Sequence, residues 1–305
     1  MNHINVSQIS TDLPIDLFIQ DDSYYPLYGG GSKARKIVNF LKDAESEKCN
    51  AIVTAGAANS NHARVVALAC ASRGWKCTIV IHDQENYKKG NLLLMKMAGA
   101  KLIFTTLSHV AEIMNKEMEN FKNEGYVPYY IYGGGHGIPG YKSYYEAALE
   151  FFRKNQNLDL DYIIHASGTG GTQAGLIVGF NQILPNAKVI GISVARRQDR
   201  GIEAIHNACN ELTNHLNLPS ICSNKVIFRD DWIKEGYGSV YPELIESIKL
   251  FSKAYGIVTD TTYSGKALHG LLSMINNGEI EKGSKVLFWH TGGLINLFEQ
   301  TEKII

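Results

Sequence analysis

Short apolar runs alternate with segments of helical spacing along almost all of this 305-residue chain, and that alternation commits it to parallel β-sheets covered by helices. Parallel neighbours cannot be joined by a tight hairpin; each pair needs a crossover, and a helix supplies it. The runs at 15–20, 51–55, 76–82, 102–105, 127–132, 162–167, 188–193, 226–228 and 285–289 read as strands, with 257–261 a further strand-like run. Helical spacing marks 34–47, 62–74, 91–98, 108–123, 141–155, 173–184, 202–216, 242–255 and 264–277. The strands between 51 and 132 form one βαβαβ unit with their helices, after which Gly133-Gly134-Gly135-His136-Gly137 turns the chain back. The expected fold is α/β with two lobes, each an open, twisted, mainly parallel sheet with helices on both faces. The smaller lobe takes in 36–139 and the larger 1–35 and 140–305. At least four strands end in a small, polar, glycine-bearing turn. Ligands of open α/β sheets sit beyond the carboxyl ends of the strands, so these turns should converge on one pocket.

Charge and cysteine content exclude several other functions. Thirty basic residues balance thirty acidic ones without a block of like charge, which leaves a nucleic-acid or membrane-surface role nothing to rest on. No uncharged apolar stretch is long enough to cross a bilayer, and residues 1–21 lack a basic segment followed by an apolar run, so the reading is cytoplasmic. The five cysteines are irregularly spaced, with Cys70 and Cys77 too far apart for a zinc knuckle, and are expected to be reduced and mostly buried. His165, His206, His215 and His269 show no metal-ligand spacing, and no metal is expected. The Tyr24/Tyr25 and Tyr144/Tyr145 pairs and Tyr87 read as packing or surface aromatics.

Three glycine-bearing turns carry chemistry. In Tyr28-Gly29-Gly30-Gly31-Ser32-Lys33-Ala34-Arg35-Lys36 a glycine triplet runs into a lysine in the first turn of a helix, with Ser32 as the expected N-cap. The positive end of the helix dipole and partial burial both favour the neutral amine, which suits a lysine that attacks a carbonyl. The alternative is a glycine turn before a solvated Lys/Arg face. Gly168-Thr169-Gly170-Gly171-Thr172 lies between a buried strand and a helix, where successive N–H groups and two hydroxyls can cradle a phosphate. Glycine stands where a Walker loop needs lysine, and Gln173 breaks a dinucleotide fingerprint; Arg196 and Arg197 keep an NADP enzyme open as a lesser alternative. Asn59-Ser60-Asn61-His62 opens a helix directly after a strand; capping accounts for one of these four polar side chains, and the others are expected to face a ligand, although His62 alone could be an ordinary helix histidine.

A lysine on a glycine turn, a phosphate cradle and an Asn-rich loop together point to pyridoxal phosphate. The chain resembles the D-cysteine desulfhydrase and 1-aminocyclopropane-1-carboxylate deaminase family of fold type II pyridoxal-phosphate enzymes, whose sheets are similar to the tryptophan synthase β subunit. The resemblance rests on five ordered motifs. They are Gly29-Gly30-x-Ser32-Lys33-x-Arg35-Lys36, Thr54-Ala55-Gly56-x-x-x-Ser60-Asn61-His62-x-Arg64, Ser167-Gly168-Thr169-Gly170-Gly171-Thr172-Gln173-Ala174-Gly175, Asp260-x-x-Tyr263-x-Gly265-Lys266 and His290-Thr291-Gly292-Gly293. It implies that Lys33 holds the cofactor covalently, that Asn61 bonds the ring oxygen and that Gly168, Thr169, Gly170, Gly171 and Thr172 hold the phosphate. It also implies that Ser60 meets the substrate carboxylate or helps move a proton, with Asn61 and His62 beside it, that Tyr237 and Tyr263 flank the substrate, and that the enzyme is a homodimer acting on a small amino acid. Ser32 stands where the family has asparagine and Asn59 where it has glutamine, both close to cofactor and substrate.

The resemblance places Ser264 opposite the ring nitrogen and Thr291 nearby. Members that open the cyclopropane carry Glu and Leu at these positions, whereas desulfhydrases carry small hydroxyl residues. A hydroxyl cannot supply the charge that keeps a pyridinium protonated, so the expected reaction is α,β-elimination from a small amino acid such as D-cysteine, giving pyruvate, ammonia and hydrogen sulfide. Cyclopropane ring opening, biosynthetic β-replacement and a non-catalytic cofactor-binding protein stay open as alternatives.

Overall fold

The computed structural model describes residues 6–83, 90–299 and 301–304, and Tyr87 lies outside them. The strands are β1 Val6–Ile9, β2 Asp16–Asp21, β3 Ala51–Gly56, β4 Lys76–Ile81, β5 Lys101–Phe104, β6 Pro128–Ile131, β7 Tyr162–Ser167, β8 Lys188–Ser193, β9 Ile227–Arg229 and β10 Lys285–His290. The helices used below are α1 Gly31–Ser46, α2 Asn61–Ala71, α3 Asn91–Met97, α4 Val110–Asn123, α5 Ile138–Lys154, α6 Gly171–Ile183, α7 Gln198–Leu216, α8 Pro242–Tyr255, α9 Ser264–Asn276 and α10 Leu294–Glu299.

The strands form two sheets, ordered β1-β2-β10-β7-β8-β9 and β5-β4-β3-β6. Every pairing is parallel except that of β1 with β2. Central strands buried on both faces need apolar side chains at consecutive positions, which is why β3, β7 and β10 read as continuous runs. Phe151, Phe180 and Trp289 anchor the core under α5, α6 and α7 on one face of the larger sheet, and Phe251, Leu268 and Leu271 the core under α8 and α9 on the other. Ile37, Phe40 and Val65 cover one face of the smaller sheet, while Met114 and Phe121 of α4 cover its other face. Helices therefore lie on both faces of both sheets. Helix α6 approaches α5 so closely that a Cβ on Gly175 would stand 2.6 Å from Tyr144 Cβ, and only glycine fits there.

Four readings of the sequence need correction. Strand β1 escaped notice, being short and partly exposed at the sheet edge. Residues 257–261 are not a strand: the Asp260 carboxylate takes the backbone N–H groups of Thr262, Tyr263 and Ser264, so this backbone bonds into the start of α9 rather than into a ladder. Helix α5 starts at Ile138, because a proline in the first turn loses no helical hydrogen bond. Ser32 is not the N-cap of α1; Gly30 is, with φ +70°, and the Ser32 N–H donates instead to Thr291 O at 2.8 Å.

One buried carboxylate ties these layers together. Asp22, fully buried just past β2, accepts from Arg35 Nη2 of α1 at 2.7 Å, Tyr144 Oη of α5 at 2.6 Å and Trp289 Nε1 of β10 at 2.9 Å. Arg35 Nε adds two contacts at 3.2 Å. Removing one side of such a pair strands the other charge away from water. Asp22→Ala is therefore expected to destabilise the fold by about 3–5 kcal/mol, read as a lower urea midpoint; a midpoint within experimental error of the parent would show that Arg35 finds another partner.

Candidate active site

The carboxyl ends of β2, β3, β6, β7, β8 and β10 all open onto one cavity of about 250 Å³ between the two sheets. Its walls are the turns singled out in the sequence: Gly30 to Lys33, Ser60 to His62, Gly168 to Gly170 with Thr172, and Thr291 to Gly293. The first and last of these touch. A Cβ on Gly292, at φ +88°, would come within 2.7 Å of Gly31 Cα, so the lysine turn and the turn after β10 meet backbone to backbone.

Lys33 lines the cavity from the first turn of α1, and its Nζ donates to Gly134 O at 3.0 Å. Burial pulls its pKa down to about 8, so a minor but usable fraction of the amine is neutral near physiological pH, far more than for an ordinary lysine. Ser60 is the N-cap of α2, its Oγ accepting from Ala63 N at 3.2 Å, which leaves its own proton free for an acceptor in the cavity. Thr54 Oγ1 gives its proton to Ile131 O at 2.8 Å and stands 2.9 Å from His62 Nε2. The single hydroxyl proton being committed, His62 donates from Nε2 and keeps a lone pair on Nδ1. Burial, with Lys33 and Lys36 nearby, lowers its pKa to about 3, so the ring is neutral.

The Gly168 to Thr172 turn stands at the head of α6, whose N-cap Gly170 has φ +92° and no capping side chain. The first N–H groups of a helix lack intrahelical partners and carry its positive pole. Beside them Ser167 Oγ is buried without a protein partner and lines the same wall. Tyr237 and Tyr263 close the mouth, their hydroxyls 2.6 Å apart. Burial raises both phenol pKa values, keeping them protonated. Lys266, off the cavity, donates to Gly236 O at 3.1 Å and so steadies the loop that carries Tyr237.

Two expected contributors sit differently from one another. Thr291 lines the cavity, whereas Ser264 lies just behind it, with Oγ donating to Asp260 Oδ1 at 2.8 Å. Arg196 lines the cavity and donates to Thr169 O at 3.0 Å, but Arg197 is exposed and turned toward Asp230, so the arginine pair invoked for a 2′-phosphate is not brought together.

Sequence reasoning gave no role to Lys36 and Arg64. Lys36 is buried on the cavity wall, close enough that a Cβ on Gly171 would lie 3.4 Å from its Nζ, beside the cradle. Its i,i+3 spacing from Lys33 was the available signal, since such residues share a helix face. Lys33, Lys36, Arg64 and Arg196 all line the cavity, and no Asp or Glu does so among the described residues.

These walls fit pyridoxal phosphate. The neutral amine of Lys33 can attack its aldehyde, the open N–H groups and the orphan Ser167 hydroxyl can take its phosphate, and Lys36 and Arg196 can balance the charge.

Comparison with known proteins agrees with this reading. The model of the family described as "Pyridoxal-phosphate dependent enzyme" matches residues 3–292. A D-cysteine desulfhydrase of Klebsiella pneumoniae (strain 342) is 32% identical over 299 residues, covering 95% of this chain and 90% of that protein. The crystal structure of an ACC deaminase homologue superposes with a TM-score of 0.91 at 30% identity, covering 100% of this chain and 93% of the other. A hydrogen sulfide-producing enzyme from Fusobacterium nucleatum, 19% identical with a TM-score of 0.67 and 96% of each chain covered, shares the fold. The chain thus belongs to the pyridoxal-phosphate dependent enzymes of fold type II, with pyridoxal phosphate as its cofactor.

Proposed function

We propose that this enzyme carries out α,β-elimination on a small amino acid, D-cysteine in the first instance, converting it with one water to pyruvate, ammonia and hydrogen sulfide. The observation that carries the proposal is the cavity lined by four cationic-type side chains and by no carboxylate among the described residues. Pyridoxal phosphate, when bound, supplies the conjugated ring that accepts the electron pair released at the α-carbon. The nearest carboxylate at the expected ring-nitrogen side, Asp260, is fully buried and already accepts from Thr262, Tyr263 and Ser264. Ser264, behind the wall, spends its one hydroxyl proton on Asp260, and Thr291 on the wall offers only a hydroxyl, which can hydrogen-bond a neutral nitrogen without holding a proton on it. So weak an electron sink suffices when the β-substituent is a good leaving group and falls short for an unactivated cyclopropane.

The roles of the chain's own residues follow from their geometry. Lys33 is the covalent attachment point, and its Nζ, neutral in part at pH 7, takes up the α-proton. The free Ser60 proton and the head of α2 receive the substrate carboxylate, with the Asn61 amide beside them. The head of α6 receives the phosphate, so the two anionic ends are held by two helix N-termini. In the Tyr237/Tyr263 pair one hydroxyl donates to the other, and the second proton is left for the departing sulfur. The aminoacrylate released hydrolyses to pyruvate and ammonia. In this reading 36–139 and the remainder act as two lobes around the cofactor, and the family resemblance extends the proposal to a cytoplasmic homodimer.

Borohydride reduction and peptide mapping should place the pyridoxyl group on Lys33, and Lys33→Ala should lose the covalent cofactor; label on Lys36 or Lys266 would overturn the assignment. Because attachment needs the neutral amine, its rate on cofactor-free protein should rise with pH and level off above about 8. A substrate panel tests the reaction itself. Pyruvate and sulfide should form from D-cysteine and pyruvate from β-chloro-D-alanine, with no 2-oxobutanoate from 1-aminocyclopropane-1-carboxylate; cyclopropane turnover without elimination would refute it.

A further inference from the structure

An asparagine presents a donor or an acceptor depending on which way round its amide is held, and the two ends have nearly the same shape. At Asn61, on the cavity wall, a buried neighbour makes that choice. Arg64 Nη1 stands 3.0 Å from Asn61 Oδ1 and 3.1 Å from Asn91 Oδ1. A guanidinium has donors only, so the atom each amide turns to it must be oxygen. The other end of Asn91 is then fixed as NH2, whose two protons are shared among three acceptors, Asn59 O at 2.8 Å and Asn61 Oδ1 and Asn296 Oδ1 at 3.1 Å each. Asn61 Oδ1 thus accepts from two donors on its buried side, which leaves its NH2 toward the cavity.

The group is anchored to the turn before α1 and to α10. Arg64 Nη2 donates to Gly30 O at 3.2 Å, three residues before Lys33. From α10, Glu299 Oε1 accepts the Asn91 backbone N–H at 3.0 Å, and Asn296 Nδ2 donates to Asn59 O at 3.2 Å. Gly90 leaves room for Glu299, since a Cβ there would fall on the carboxylate. Asn91 and Asn296 are buried and do not line the cavity.

We propose that Asn91 is a positioning residue: with Arg64, and held by Asn296 and Glu299 of α10, it locks the Asn61 amide so that the cavity meets a donor, directed at the ring oxygen of bound pyridoxal phosphate. This rests on the reading that Asn61 meets the cofactor. A donor on that oxygen stabilises its anionic form, so losing it raises the pH at which the bound cofactor gives up its proton.

The test is the absorption of the cofactor-loaded protein as a function of pH, together with the cofactor dissociation constant. Asn61→Ala should raise the spectral midpoint by about one pH unit and weaken cofactor binding about tenfold. Asn91→Asp, which keeps the shape but has no donor for Asn61 Oδ1, should move both in the same direction, with Asn91→Ala intermediate. An unmoved midpoint in the Asn91 variants beside a displaced one in Asn61→Ala would overturn the positioning role and leave the Asn61 reading standing. No displacement in Asn61→Ala would overturn both. Where the Asn91 variants do not give folded protein, Arg64→Lys, which keeps the charge but loses the planar guanidinium whose Nη2, on Gly30 O, holds Nη1 against both amide oxygens, must raise the midpoint; an unmoved midpoint there overturns the proposal.

Discussion

The buried Asp22 carboxylate is where the larger sheet, α5 and the lysine helix meet. It sits directly after β2, and its partners are Arg35 two residues beyond Lys33, Tyr144 on α5 and Trp289 one residue before the turn that carries Thr291. A carboxylate in so dry a place is tolerated because each of its oxygens is hydrogen-bonded and its charge is balanced by Arg35. The geometric consequence is that α1 has no freedom to rotate about its axis, and its first turn is held against the turn after β10. The Ser32 N–H on Thr291 O and the close approach of Gly31 and Gly292 complete that seam. Lys33 is aimed by this seam, although it makes none of these contacts itself.

The seam sets the electrostatics of the cavity. Four cationic-type side chains crowd a volume that contains no carboxylate among the described residues; burial pushes the pKa values of Lys33, Lys36 and Arg64 down, and the neighbouring Lys33 lowers that of Lys36 further. Lys33 falls to about 8 and Arg64 to about 10, burial being the main cause in each. Such a site is poised for anions: in the proposed reading a phosphate at the head of α6 and an amino-acid carboxylate at the head of α2 bring back the missing negative charge. The lowered pKa of Lys33 comes from the burial that the closed cavity imposes on it.

Much of this was legible in the sequence because the signals were local. Strands buried on both faces announce themselves as apolar runs, and a glycine turn before a polar helix start marks a strand end wherever it lies in the sheet. What was not legible depends on contacts far apart in sequence. Asp22 is an unremarkable acid until Tyr144 and Trp289 come to it across 122 and 267 residues. Asn91 and Asn296, separated by 205 residues, belong to no motif, yet they share a buried amide network with Asn61. Residues 257–261 looked like a strand because β-branched residues suit one, but Asp260 withdraws three N–H groups into a helix start, and Ser264 ends up behind the cavity wall.

In the proposed reading the ring nitrogen of the cofactor is unprotonated, because no carboxylate lines the cavity among the described residues and Asp260 is already saturated by Thr262, Tyr263 and Ser264. Nitrogen-15 NMR of the protein loaded with pyridoxal phosphate labelled at the ring nitrogen reads this directly. The account predicts the chemical shift of a neutral, hydrogen-bonded pyridine at neutral pH, unchanged in Thr291→Val apart from a small displacement. The shift of a pyridinium would contradict it.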